Sequence, residues 1–147
     1  MSPVISQADI ARPPENVFSY ITDPARFNEW QAGVVSGHLD ADGAPGVGAK
    51  CITTRLIRGS KWTVTSEITE FGPPNKWAMK GIDGPIRVDV TVTVDPREGG
   101  TQSHVTITAD FHGHGTGKLY LPLVVRQARD EAPENCQKLK ERLEAGA

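Results

Sequence analysis

No apolar run in this chain is long enough to cross a bilayer as a helix, which takes about 20 residues. The longest, Leu119 to Val125, is interrupted by Pro122. A charged-then-apolar leader is also missing, so neither secretion nor stable membrane insertion is expected, and a cytoplasmic location is. Neither sign of charge is in excess: 16 basic and 18 acidic residues leave a formal charge of −2. With no basic block and no acidic tail, nucleic acid and anionic surfaces are poor partners. The two cysteines, Cys51 and Cys136, make neither a disulfide framework nor a zinc motif. One falls on an expected strand and the other on the apolar stripe of an expected helix, so both read as small buried hydrophobes. The chain also lacks a G-x-S-x-G elbow, a Walker loop, an H-E-x-x-H pair and a glycine fingerprint within a βαβ unit. No metal or other cofactor is expected.

What is present is a single domain's worth of chain, 147 residues, with 15 glycines and 11 prolines punctuating periodic apolar stretches. That mixture suits a turn-rich sheet protein better than a helical bundle. The most informative segment runs from Val4 to Trp30. Val4, Ser6, Ala8 and Ile10 share one face at period two, as in a strand. Pro13-Pro14 ends the strand and suits the first turn of a helix. Val17, Phe18 and Ile21 then recur at helical spacing, with Glu15, Asn16 and Ser19 on the outer side. Asp23-Pro24 stops that helix, and a second short one closes at Trp30.

Strand patterns follow to about His114. Gly33 to Leu39 is short, and the glycine- and proline-bearing stretch Asp40 to Gly48, with Gly43, reads as a loop. Ala49 to Ile57 is threonine-rich, and its alternation leaves the facing of Arg55 open, with an outward direction favoured. Trp62, Val64, Ser66 and Ile68 alternate with Thr63, Thr65, Glu67 and Thr69. After the turn Gly72-Pro73-Pro74-Asn75, Trp77 and Met79 face one way. The clearest strand places Ile86, Val88, Val90, Val92 and Val94 on one side against Arg87, Asp89, Thr91, Thr93 and Asp95. Val105, Ile107, Ala109 and Phe111 repeat the pattern, so the two form a hairpin with one wet face. From about Gly117 the period becomes helical. Leu121, Val125, Ala128, Ala132, Cys136, Leu139 and Leu143 trace one stripe, and Pro133 within it predicts a bend or a break.

Strand, two short helices, about six antiparallel strands and one long helix predict an α+β architecture, a curved sheet of about seven strands laid around the C-terminal helix. The Pro13-Pro14-Glu15-x-Val17-Phe18 opening, the Asp23-Pro24…Trp30 close and the ending Leu139-Lys140-Glu141-Arg142-Leu143-Glu144 resemble the SRPBCC superfamily. These are the START-like, helix-grip proteins that include the polyketide cyclase/dehydrase and lipid-transport group, and the resemblance spans essentially the whole chain. It implies an apolar cavity between sheet and long helix that holds a small hydrophobic molecule. Trp62, Trp77, Met79, Val88, Val90 and Phe111 would then be candidate walls, with Val125 on the helix. Phe27, Trp30 and Tyr120 lie at breaks between elements, where a mouth would be. Arg55, Ser66 and Gln127 are the polar groups to watch. Each aromatic also reads as plain core.

Three functions remain open at this stage. The first is binding or transport of a lipid, polyketide or similar metabolite. The second is a polyketide cyclase/dehydratase, whose chemistry the resemblance implies would rest on cavity shape and a few polarising groups, with His112, Arg55 or Tyr120 as candidates. The third is an interaction module that docks another chain through a strand edge or wet face. His112 and His114 could chelate a metal, with His104, Asp110 or His38 as a third ligand. Their glycine-rich surroundings read more simply as the link into the long helix. Either a monomer or a homodimer fits the sequence.

Overall fold

The computed structural model describes residues 2–40 and 45–147. The expected loop glycine Gly43 therefore lies outside the described residues, as does much of that loop. Seven strands form one antiparallel sheet: β1 (Val4–Ile10), β2 (Val34–Leu39), β3 (Lys50–Ile57), β4 (Ser60–Gly72), β5 (Lys76–Gly81), β6 (Ile86–Arg97) and β7 (Gln102–Gly113). Their order is β1-β7-β6-β5-β4-β3-β2. Only β1 pairs out of sequence, crossing to β7 with Val4 opposite Ala109 and Ile10 opposite Ser103. The short connections are what antiparallel pairing permits. The sheet curls into a half-barrel. Irregularities between Ile68 and Glu70 in β4 and between Val34 and Ser36 in β2 supply bends of the kind that bulges introduce.

Helix α1 (Pro14–Ile21) begins directly after the Pro13 that caps it and buries Val17, Phe18, Tyr20 and Ile21. It ends where the Thr22 hydroxyl donates to the Phe18 carbonyl at 2.7 Å. A 3₁₀ turn over Pro24–Arg26 follows, held by the Ala25 N–H donating to the Asp23 carboxylate at 3.1 Å. Helix α2 (Phe27–Trp30) buries both its aromatics. Tyr20 joins α1 to α2 by donating to Glu29 at 3.0 Å. Burial and that carboxylate push its phenol up to about 12.

Helix α3 runs unbroken from Gly117 to Glu144. The break considered at Pro133 does not occur. Pro133 lies on the exposed side, where the carbonyl left without an N–H partner can be solvated, so the ring costs one hydrogen bond and not the helix. The C-terminal end of α3 is fastened to the end of β1. Lys140 Nζ donates to the Asp9 carbonyl at 2.6 Å, the Ala11 N–H donates to Glu144 at 2.9 Å, and Arg12 donates to the Leu143 carbonyl at 3.1 Å.

The solid core gathers at this end of the grip, where Val17, Phe18 and Ile21 meet Val94, Val105, Leu139 and Leu143. Leu139 and Leu143 have no solvent exposure. Leu139→Ala is expected to cost about 2–5 kcal/mol, because a close-packed site closes only partly over a deleted side chain. Chemical denaturation would read this as a lower midpoint at unchanged slope; an unchanged midpoint would mean the core is not formed as described.

Candidate functional site

Away from that end, the facing side chains shrink. Inward from Leu139, α3 presents Cys136, Ala132 and Ala128, with Val124 beyond. The sheet answers with Thr53, Ser66, Gly81 and Ala109, again small. Elements held at backbone distances set by the core cannot close over small residues on both sides. The result is a pocket of about 230 Å³ between sheet and helix.

Aromatic and aliphatic side chains wall it. Phe27 and Trp30 come from α2, Trp62 from β4, Trp77 and Met79 from β5, Val88 and Val90 from β6, and Phe111 from β7. All three tryptophans of the chain therefore border the same space. Phe27 stands edge-on between two of them, its ring centroid 6.2 Å from Trp30 and 6.3 Å from Trp77. Such tilted contacts are the favoured aromatic geometry and stiffen this wall. The indole N–H groups of Trp30 and Trp77 are buried without an acceptor among the described residues. Leaving a buried donor unpaired costs about 1–3 kcal/mol, so this is not core optimised only for stability.

Arg55 faces inward, against the expected outward direction. The inner row of β3 is Cys51, Thr53, Arg55 and Ile57. Pairing fixes that parity: Arg55 lies opposite Val34 on one side and Trp62 on the other. Burial pushes its guanidinium below the usual value, with Cys51 and the Glu131 carboxylate acting in the other direction. Across the pocket, Gln127 and Glu131 are half-buried on α3, with Gln127 Nε2 donating to Glu131 at 3.4 Å. Asn135 accepts from the Ala32 N–H at 2.9 Å and ties this stretch of helix to the loop after α2. Ser66 also lines the wall. Both cysteines border the pocket, and burial raises both thiols, Cys51 to about 11.

Three candidates stand elsewhere. Tyr120 is exposed on the first turn of α3, outside the wall. Val125 is buried but its neighbour Val124 takes the lining position. His112 projects from the outer face of the sheet, its Nε2 3.2 Å from Asp89 and 3.8 Å from Asp110. Strand parity puts it there, because β7 points Phe111 and Ala109 inward. His104 makes the same kind of outer-face pair with Asp9 at 2.7 Å. Among the described residues, no group of three His, Cys, Asp or Glu side chains is arranged to hold a metal. Nor is any helix among them long and apolar enough to cross a membrane. The sequence reading missed Glu131. Its signal was present, since Gln127, Glu131 and Asn135 form an i,i+4 row flanking the stripe Ala128, Ala132 and Cys136.

A protein of Mycobacterium tuberculosis, MT1597, is 26% identical over 102 residues, covering 69% of this chain and 71% of that one. The structure of TTHA0849 from Thermus thermophilus superposes with a TM-score of 0.78 at 21% identity, covering 99% of each chain. A START superfamily protein from Mycobacterium smegmatis superposes with a TM-score of 0.72 at 14% identity, covering 99% of this chain and 96% of that one. At these identities the two structures speak for the shared fold alone. The family described as polyketide cyclase/dehydrase and lipid transport matches residues 3–144. With nearly the whole chain matched and the sheet gripping α3 as that likeness requires, the chain belongs to the polyketide cyclase/dehydrase and lipid-transport family.

Proposed function

We infer that the protein binds or carries a small hydrophobic molecule in the pocket between the sheet and α3. One observation carries this: a 230 Å³ space left open between sheet and helix and walled by Trp30, Trp62, Trp77 and Met79. Native interiors are packed to crystal-like density, so a space of this size is a built feature. Apolar ligand surface buried there contributes about 25 cal/mol per Å². The volume lies below the about 300–1,000 Å³ of drug-sized sites. It favours a single chain or a one- or two-ring molecule over a large fused-ring product or a two-chain lipid.

Native mass spectrometry of gently purified protein is the test. A stoichiometric hydrophobic adduct, released on denaturation and identified, is the expected outcome. A clean unliganded mass that also persists after incubation with host lipid extract would count against the carrier reading.

A second reading, cyclase or dehydratase chemistry in the same pocket, is favoured by the cation of Arg55 and the carboxylate of Glu131 facing one space. A guanidinium can polarise a carbonyl while a carboxylate withdraws a proton nearby. Turnover of a poly-β-keto substrate that is lost in Glu131→Gln would decide for it.

A further inference from the structure

Among the described residues, Arg55 is a cation without a counterion. The other charged wall groups are engaged: Asp83 accepts from the Thr65 N–H at 2.7 Å, Arg87 donates to the Gly84 carbonyl at 3.2 Å, and Glu131 accepts from Gln127. None of the ion pairs or side-chain hydrogen bonds among the described residues includes the Arg55 guanidinium. The acid whose field reaches it, Glu131, stands on the opposite element and forms no ion pair with it.

Arg55 is half-buried, and a guanidinium partly withdrawn from water with no anion beside it carries a desolvation cost that a bound anion would offset. Its five N–H donors form a planar fork, and the group that meets such a fork with two parallel hydrogen bonds is a carboxylate. Lysine would present a point charge instead, without that geometric match. Most of the wall around this donor is apolar, so the complementary molecule has one charged end and a largely apolar body.

Building on the pocket reading above, we propose that the ligand is a compact amphiphilic organic acid, its carboxylate held by Arg55 and its apolar body lying against Trp62, Met79, Val88, Val90 and Phe111. Glu131 sets the limit of that preference. As a second carboxylate on the same space it repels the incoming one, which favours a single negative charge over two.

The test uses matched pairs that differ only at the head group: decanoate against 1-decanol, and 4-phenylbutyrate against 4-phenyl-1-butanol. The three wall tryptophans report occupancy by fluorescence, with calorimetry as a second readout. In the native protein near pH 8, the acid of a pair should bind roughly ten times or more tighter than its alcohol, the range of a charge-assisted hydrogen bond. Arg55→Gln should bring the ratio to about one by weakening the acid alone, and Arg55→Lys should retain part of it. Glu131→Gln should tighten the acid and leave the alcohol unchanged. If Arg55→Gln does not fold, the Arg55→Lys and Glu131→Gln ratios decide in its place. Equal binding of acid and alcohol by the native protein, or a ratio that survives loss of Arg55, overturns the proposal and leaves the pocket reading standing. No response to either pair overturns both.

Discussion

Gly117→Ala is expected to lower stability by about 1–3 kcal/mol or more, the opposite of what the exchange does in an ordinary helix. Alanine is usually favoured over glycine in a helix by about 0.5–1 kcal/mol. Gly117 opens α3 directly against the chain between β5 and β6. A Cβ there would overlap the Pro85 carbonyl oxygen and sit 2.5 Å from its carbonyl carbon. Both atoms are backbone, so no side chain can rotate away. The same loop holds the His114 N–H through the Pro85 carbonyl at 2.8 Å, which leaves little room for the carbonyl to move. The clash must therefore shift the start of α3 off the sheet. Gly46→Ala is the control, because a Cβ there meets nothing within 4 Å. Urea denaturation of the two variants checks the point: equal midpoints would mean that α3 does not abut Pro85.

Ala128→Trp should abolish binding while leaving the fold intact. Ala128 lies on the wall midway along α3, and its methyl group is one of the small side chains that leave the pocket open. An indole projected from that position occupies space that already exists, so it avoids the overpacking penalty met at close-packed sites. The expected result is loss of the copurifying adduct and a weakening of 1-decanol binding by about 100-fold, equivalent to about 2.7 kcal/mol. The denaturation midpoint should stay within about 1 kcal/mol of the native protein's or rise, since filling a cavity recovers contacts. The same exchange at the exposed Arg126 should change neither. Undiminished binding in Ala128→Trp would place the ligand elsewhere.

The parts of the fold that could be read from sequence were those where one physical pattern had no competitor. Ile86 to Val94 alternates valine and isoleucine with charge and threonine, so its inner face was unambiguous, and β7 copies it. The Pro13-Pro14 and Asp23-Pro24 breaks fixed where α1 starts and stops, because proline acts through its own ring. Legibility failed where the deciding partner was distant. In β3, Cys51 and Thr53 alternate with Ile52 and Thr54, and neither row is clearly the apolar one. Only pairing with Trp62 on β4 and Val34 on β2 turns Arg55 inward. Pro133 was read as a bend or a break because local geometry disfavours it, and the tertiary attachments of α3 outweigh one missing rung, so the helix is not broken. The wall residues Trp62, Trp77, Met79, Val88, Val90 and Phe111 were reachable through parity and the family likeness, whereas Phe27 and Trp30, placed at a mouth because they lie at breaks between elements, line the same space. Glu131 was passed over despite its i,i+4 row with Gln127 and Asn135, because charge on a helix reads first as a solvated face.

The state of the two thiols bears on what the interior can safely hold. Alkylation and oxidation act on thiolate, and with Cys51 raised to about 11 by burial, almost none forms near neutral pH. Burial raises the Cys136 thiol in the same direction, with Ser6 acting against it. Burial thus makes both sulfurs poorer nucleophiles than exposed thiols, so the stretch of wall they line is a packing surface more than a reactive one.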